Sequence, residues 1–112
     1  MDTGYVIIVE GKNDRRRLRQ LVPEDIPIEP TYGVPSAERL DALVRIARDR
    51  QVIIFTDADA SGRRIRRILR DVFPEAINLY TKPSYRGVEH TPLEYLADRL
   101  RRSGVLDDVA EL

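Results

Sequence analysis

No cysteine occurs among the 112 residues, which excludes a disulfide framework and a thiolate metal site alike. Net charge is also missing, 19 basic residues being matched by 19 acidic ones, so bulk charge offers no long-range pull toward a polyanion. No apolar run approaches the ~20 residues needed to span a bilayer; the longest is Tyr5 to Val9. The N-terminus lacks the basic start and long apolar stretch of a secretory signal. A cytoplasmic protein with no membrane partner is the economical expectation.

What is present suits one compact domain. Hydrophobic residues make up 42% of the chain, enough for a core and too many for global disorder. The expected domain covers 1–104, followed by an acidic tail over 105–112. Of the basic residues only Lys12 and Lys82 are lysine, and nine of the arginines fall between Arg15 and Arg19 or between Arg63 and Arg70. The planar guanidinium fork suits phosphate.

Hydrophobic patterning predicts four strands alternating with helices. Tyr5-Val6-Ile7-Ile8-Val9 is a continuous apolar run, as expected of a strand covered on both faces, and Val52-Ile53-Ile54-Phe55-Thr56 is a second buried strand. Ile26 to Thr31, interrupted by prolines, predicts a short or edge strand, and Ala76 to Tyr80 a fourth. Helices are expected from Asn13 to Leu21, capped by Asn13 or Asp14, and from the Ser36 cap to about Arg50, burying Leu40, Leu43, Val44 and Ala47. A third starts at Ser61 or Gly62 and buries Ile65, Ile68, Leu69 and Val72, leaving Arg63, Arg64, Arg66, Arg67 and Arg70 mostly to solvent. After a loop from Thr81 to Glu89, Thr91, Pro92 and Glu94 predict a capping box for a last helix ending at Gly104. Four strands alternating with helices imply a parallel sheet wrapped by helices on both faces.

Such sheets bind ligands beyond the C-terminal ends of their strands. There the first strand ends in Glu10 and the third in Asp57, with Asp59 two residues on. Three carboxylates at one sheet edge repel each other unless a cation lies between them. Mg²⁺ suits the set, since it takes oxygen ligands and is commonly held by carboxylates plus substrate phosphate; Mn²⁺ is an alternative. Gly11 and Gly62 allow backbone or substrate to come close. Asp14 can add a carboxylate or cap its helix. Asp-x-Asp alone is ordinary turn chemistry. The joint pattern is more specific: an apolar strand ending in Glu-Gly, about 45 residues of helix, strand and helix, then an apolar strand ending in Asp-x-Asp-x-x-Gly.

The segments VIIVEGKND and VIIFTDADASG resemble the two signature motifs of Toprim domains, found in topoisomerases, bacterial primases and some nucleases. The resemblance implies a three-layer α/β/α, Rossmann-like fold around a four-stranded parallel sheet ordered 2-1-3-4. It also implies that Glu10, Asp57 and Asp59 gather Mg²⁺ and act catalytically, Glu10 as a candidate general acid/base. It is greater still to the Toprim domain of the bacterial ribonuclease that matures 5S ribosomal RNA, where a Gly-Val-Glu-His segment follows the fourth strand, as Gly87-Val88-Glu89-His90 does here. That likeness places Glu89 and His90 near the metal. The maturase carries an additional C-terminal domain, so a free-standing small Toprim protein is the expected form. Lys12, Arg15, Arg63, Arg64, Lys82, Arg86 and His90 are the candidate contacts to phosphate, with Gly11, Asp14, Gly62 and Glu89 in support. Tyr85 lies in the same loop as Lys82 and Arg86, able to stack on a base.

The expected function is Mg-dependent phosphodiester processing of nucleic acid, RNA before DNA. Two alternatives stay open: a non-catalytic metal- and nucleic-acid-binding module with a protein partner supplying the rest, and an enzyme acting on a small phosphate compound. Oligomeric state is left open.

Overall fold

The computed structural model describes residues 4–102. The elements run β1 (Tyr5–Val9), α1 (Lys12–Arg19), β2 (Ile28–Pro30), α2 (Ala37–Ile46), β3 (Gln51–Thr56), α3 (Ala60–Val72), β4 (Ile77–Tyr80), two 3₁₀ turns (Pro83–Tyr85 and Val88–His90) and α4 (Leu93–Arg102). The strands form one parallel sheet in the order β2-β1-β3-β4, as expected. Among the described residues no helix is long and apolar enough to cross a membrane. The expected tail and the Gly104 helix stop lie outside the described residues.

The two-residue alternation of a strand splits the core between the faces of the sheet. Ile7, Val9, Ile53, Phe55 and Leu79 pack with Leu18 of α1 and Leu96, Ala97 and Leu100 of α4. Val6, Ile8, Val52 and Ile54 pack with Leu43 of α2 and Ile65 and Leu69 of α3. Helices therefore cover both faces, which is why Val6 to Val9 of β1 and Val52 to Phe55 of β3 are continuously apolar. The strand order reverses between β1 and β3, so the crevice at their C-terminal ends lies open between helices of opposite layers.

Several local expectations are corrected. The cap of α1 is Gly11, not Asn13 or Asp14; the Asp14 carboxylate instead accepts the Gly11 N–H at 2.9 Å from inside the first turn. Helix α3 starts at Ala60, not at Ser61 or Gly62, and is capped by Asp59, whose Oδ1 accepts the Gly62 N–H at 2.6 Å. Ser36 caps α2 as expected, but the helix stops at Ile46, and Val44 is 44% exposed instead of buried. Ile68 and Val72 are half-buried. Helix α4 opens on the Pro92 carbonyl, which accepts from Leu96, while the buried Thr91 hydroxyl donates to Gly87 O at 2.6 Å. The Thr91 hydroxyl thus ties down the preceding loop, where a capping box was expected.

Arg66 is the largest departure. It was expected in solvent, yet only 5% of it is exposed. Its guanidinium lies 3.9 Å from the centre of the Tyr80 ring and donates to Asn78 Oδ1 at 2.7 Å and to Leu79 O. One α3 arginine thereby closes a carbonyl on the outer edge of β4, a site otherwise open to pairing with another strand. Arg39 does the same at the opposite edge, binding Pro30 O through Nε at 2.8 Å and Nη2 at 2.6 Å. Arg66→Ala is expected to cost about 2 kcal/mol, because it strands two acceptors and a ring contact. A solvated arginine would cost almost nothing, and urea unfolding separates the two outcomes.

Candidate metal centre

Glu10 is held at the end of β1 and Asp57 at the end of β3 by parallel pairing of the two strands, Val6 to Ile8 lying beside Val52 to Ile54. Asp59 follows in the tight turn into α3. Glu10, Asp57 and Asp59 each offer a carboxylate oxygen, and these oxygens all lie within 4.8 Å of one another. Every member of the cluster is steered by a backbone N–H. Glu10 Oε2 accepts from Asp57 at 2.7 Å, Asp57 Oδ1 accepts from Val88 at 2.8 Å, and Asp59 Oδ1 accepts from Gly62.

Two glycines make room for this arrangement. A Cβ on Gly62 would lie 2.2 Å from Asp57 O and 3.0 Å from Glu10 Oε2. A Cβ on Gly87 would lie 2.6 Å from the Asp57 carboxylate, and Gly87 has φ +97°. The segment after β4 can therefore lie directly against Asp57 and donate the Val88 N–H to it. Gly62 was anticipated as a close approach; Gly87 was noted only as part of the Gly-Val-Glu-His segment.

A cleft of about 300 Å³ opens beside the carboxylates, lined by Glu10, Gly11, Lys12, Asn13, Asp14, Gly33, Asp57, Arg86 and Glu89. Asn13, expected only as a possible helix cap, donates to Glu89 Oε1 at 3.0 Å and joins α1 to the loop after β4. Other candidates lie elsewhere. Arg15 lines a separate shallow groove on α1 with Lys12, Arg16 and Arg19. Arg63 turns back to Ala58 O, and Arg64 is exposed on α3. Lys82 lies over the rings of Tyr85 and Tyr95, which meet edge to face at 5.3 Å, so Tyr85 is already engaged. His90 is exposed and does not line the cleft.

Electrostatics favour a cation here. Burial, with the charges of Asp57, Asp59 and Asp14, pushes Glu10 up to about 7 from the ordinary 4.5, although the Asp57 N–H pulls the other way. Burial and the Asp57 charge push Asp14 up to about 6. Asp57 is raised by burial and by Asp59. An all-oxygen donor set so short of positive charge fits a hard divalent cation.

A pH dependence follows. Glu10 and Asp14 hold protons more tightly folded than unfolded, so the metal-free chain loses stability as pH rises from about 4 through the raised values near 6 and 7. Bound cation competes with those protons. Added Mg²⁺ is expected to raise Tm more at pH 7.5 than at pH 5, and Glu10→Gln to flatten the metal-free slope. Scanning calorimetry of both proteins checks this; equal Mg²⁺ shifts at the two pH values would refute it.

The Toprim domain family model matches residues 5–88. Ribonuclease M5 1 of Ligilactobacillus salivarius (strain UCC118) is 37% identical over 108 residues, covering 89% of this chain and 58% of that protein. YusF, an uncharacterized protein of Bacillus subtilis (strain 168), is 35% identical over 100 residues, covering 89% of this chain and 68% of that one. A small Toprim domain protein from Bacillus stearothermophilus, of known structure, superposes with a TM-score of 0.84 at 35% identity, covering 98% of this chain and 92% of that one. The chain thus spans little more than half the length of the ribonuclease it matches. These similarities, with the carboxylate cluster, support metal-dependent nucleic-acid chemistry of a nuclease-like kind in general terms.

Proposed function

The chain belongs to the Toprim domain family, and from that premise we propose that it is a Mg²⁺-dependent phosphodiesterase acting on RNA. The observation that carries the proposal is the convergence of Glu10, Asp57 and Asp59 within 4.8 Å at the β1 and β3 ends, beside an open cleft. Those three residues would hold the metal. Once bound, a divalent cation supplies charge neutralisation at a phosphoryl oxygen and makes water more acidic.

The protein groups have distinct parts. Asp57 and Asp59, oriented by Val88 and Gly62, fix the position at which the phosphate is engaged. Glu10, at the end of β1 beside Asp57, would hold the metal or pass a proton to or from the reacting oxygens. Lys12 and Arg86 line the same cleft and would pair with phosphate oxygens, and Arg15 would meet a flanking phosphate along α1. Arg63, Arg64, Lys82 and His90 do not line the cleft. The preference for RNA is supported by the 37% identity to a ribonuclease M5.

The test uses end-labelled RNA and DNA of matched sequence with Mg²⁺, Mn²⁺ or EDTA. Metal-dependent cleavage of RNA in preference to DNA is expected. Binding without cleavage in either metal would replace the hydrolase by a binding module. Failure to bind either polymer, with turnover of a small phosphodiester, would move the activity to small phosphate compounds.

A further inference from the structure

Tyr32 follows β2 and precedes Gly33, one of the residues lining the carboxylate cleft. Its φ of +60° lies in the left-handed region, where an aromatic side chain is strained. It is also 56% exposed, so the strain is not offset by burial. The short segment is firmly attached to the site. Thr31 N–H donates to Val9 O at 2.8 Å, Gly33 N–H donates to Glu10 O at 3.1 Å, and the Thr31 hydroxyl reaches the same Glu10 oxygen at 3.4 Å. The ring has a fixed cationic backing, for the Arg39 guanidinium lies 5.0 Å from its centre. That guanidinium is itself anchored by Pro30 O and by Glu29 Oε1 at 3.1 Å. The other tyrosines are placed differently: Tyr85 and Tyr95 pair with each other, Tyr80 lies on Arg66, and Tyr5 packs against the core.

We infer that Tyr32 is a stacking platform for a nucleobase of the bound substrate, positioned one residue from the carboxylate cleft and held from behind by Arg39. The inference rests on the nucleic-acid reading above and adds a base contact to it. A nucleotide whose phosphate lies in the cleft carries its base one sugar away. An open aromatic ring at the rim offers that base a face, while the anchored guanidinium keeps the ring in place before substrate arrives. Stacking of this kind tolerates any base and gives affinity without sequence readout.

The strain at Tyr32 makes the test direct. Asn tolerates the left-handed region better than Tyr, so Tyr32→Asn relieves strain while removing the ring. Tyr32→Phe keeps the ring. Binding of a short single-stranded RNA containing 2-aminopurine is measured by fluorescence, with Ca²⁺ in place of Mg²⁺ to limit cleavage. Wild-type and Tyr32→Phe proteins are expected to bind and quench the probe. Tyr32→Asn is expected to bind about 5- to 50-fold more weakly and to lose the quench. Its Tm should equal or exceed that of the wild type, and its Mg²⁺-dependent rise in Tm should persist. Binding by Tyr32→Asn equal to wild type would overturn the platform and leave the nuclease reading standing. A loss in Tyr32→Phe as large as in Tyr32→Asn would assign the contact to the hydroxyl and also overturn stacking. Absence of RNA binding by the wild-type chain would remove both readings together.

Discussion

Asp57→Asn is expected to lower metal-dependent cleavage by at least about 10²- to 10³-fold, the scale seen when one preorganised electrostatic group is removed from an active site. The same substitution is expected to raise the Tm of the metal-free protein. Asn is isosteric, and its Oδ1 can keep the bond from Val88 N–H that orients Asp57. Its amide can donate toward Glu10, whose Oε2 already accepts from the residue-57 N–H. The buried charge that helps to raise Glu10 and Asp14 disappears, so metal-free repulsion falls. Stability and activity should therefore move in opposite directions, as expected where a functional charge cluster is maintained at a cost to the fold. Cleavage assays and calorimetry on one preparation decide it. A drop in Tm with cleavage intact would assign Asp57 to structure alone.

The second large effect is expected from Gly62→Ala. In an ordinary helix, Gly to Ala stabilises by about 1 kcal/mol. Here the new methyl group would lie 2.2 Å from the Asp57 carbonyl oxygen and 2.9 Å from its carbon. Neither atom can swing aside as the end of a long side chain could, because both belong to the backbone leaving β3. The start of α3 would have to lift from the sheet, carrying Asp59, which accepts the Gly62 N–H. Destabilisation of about 3 kcal/mol is expected, or roughly 15 °C in Tm for a domain of this size. Magnesium should restore little of it, since the ligand positions are themselves displaced. Denaturant unfolding with and without Mg²⁺ measures both parts. A neutral or stabilising outcome would contradict the close approach of α3 to Asp57.

These two residues differ in how readily they could be read from the chain. Asp57 could be placed at a strand end because Val52 to Phe55 forms a continuous apolar run that stops there. Gly62 could be flagged by its place after Asp-x-Asp, but its contact with Asp57 O depends on how α3 leaves the sheet. Asp14 shows the same limit. Its carboxylate type is visible and its bond to Gly11 N–H is local, whereas its burial depends on the packing of α1 against the sheet.

Hydrophobic runs and their interruptions were sufficient for four strands in a parallel sheet with Glu10, Asp57 and Asp59 at strand ends, and the likeness to Toprim domains supplied the strand order. Periodicity records which residues avoid water, and continuous apolar runs mark strands covered on both faces. Packing alone decided the burial of Arg66, the seating of Gly87 on Asp57, the placement of Lys82 on tyrosine rings away from the cleft, and the exposure of Tyr32 next to the cleft-lining Gly33. Each of these depends on which polar group another element brings opposite the residue. Such pairings join positions far apart in the chain, and local pattern carries no record of them.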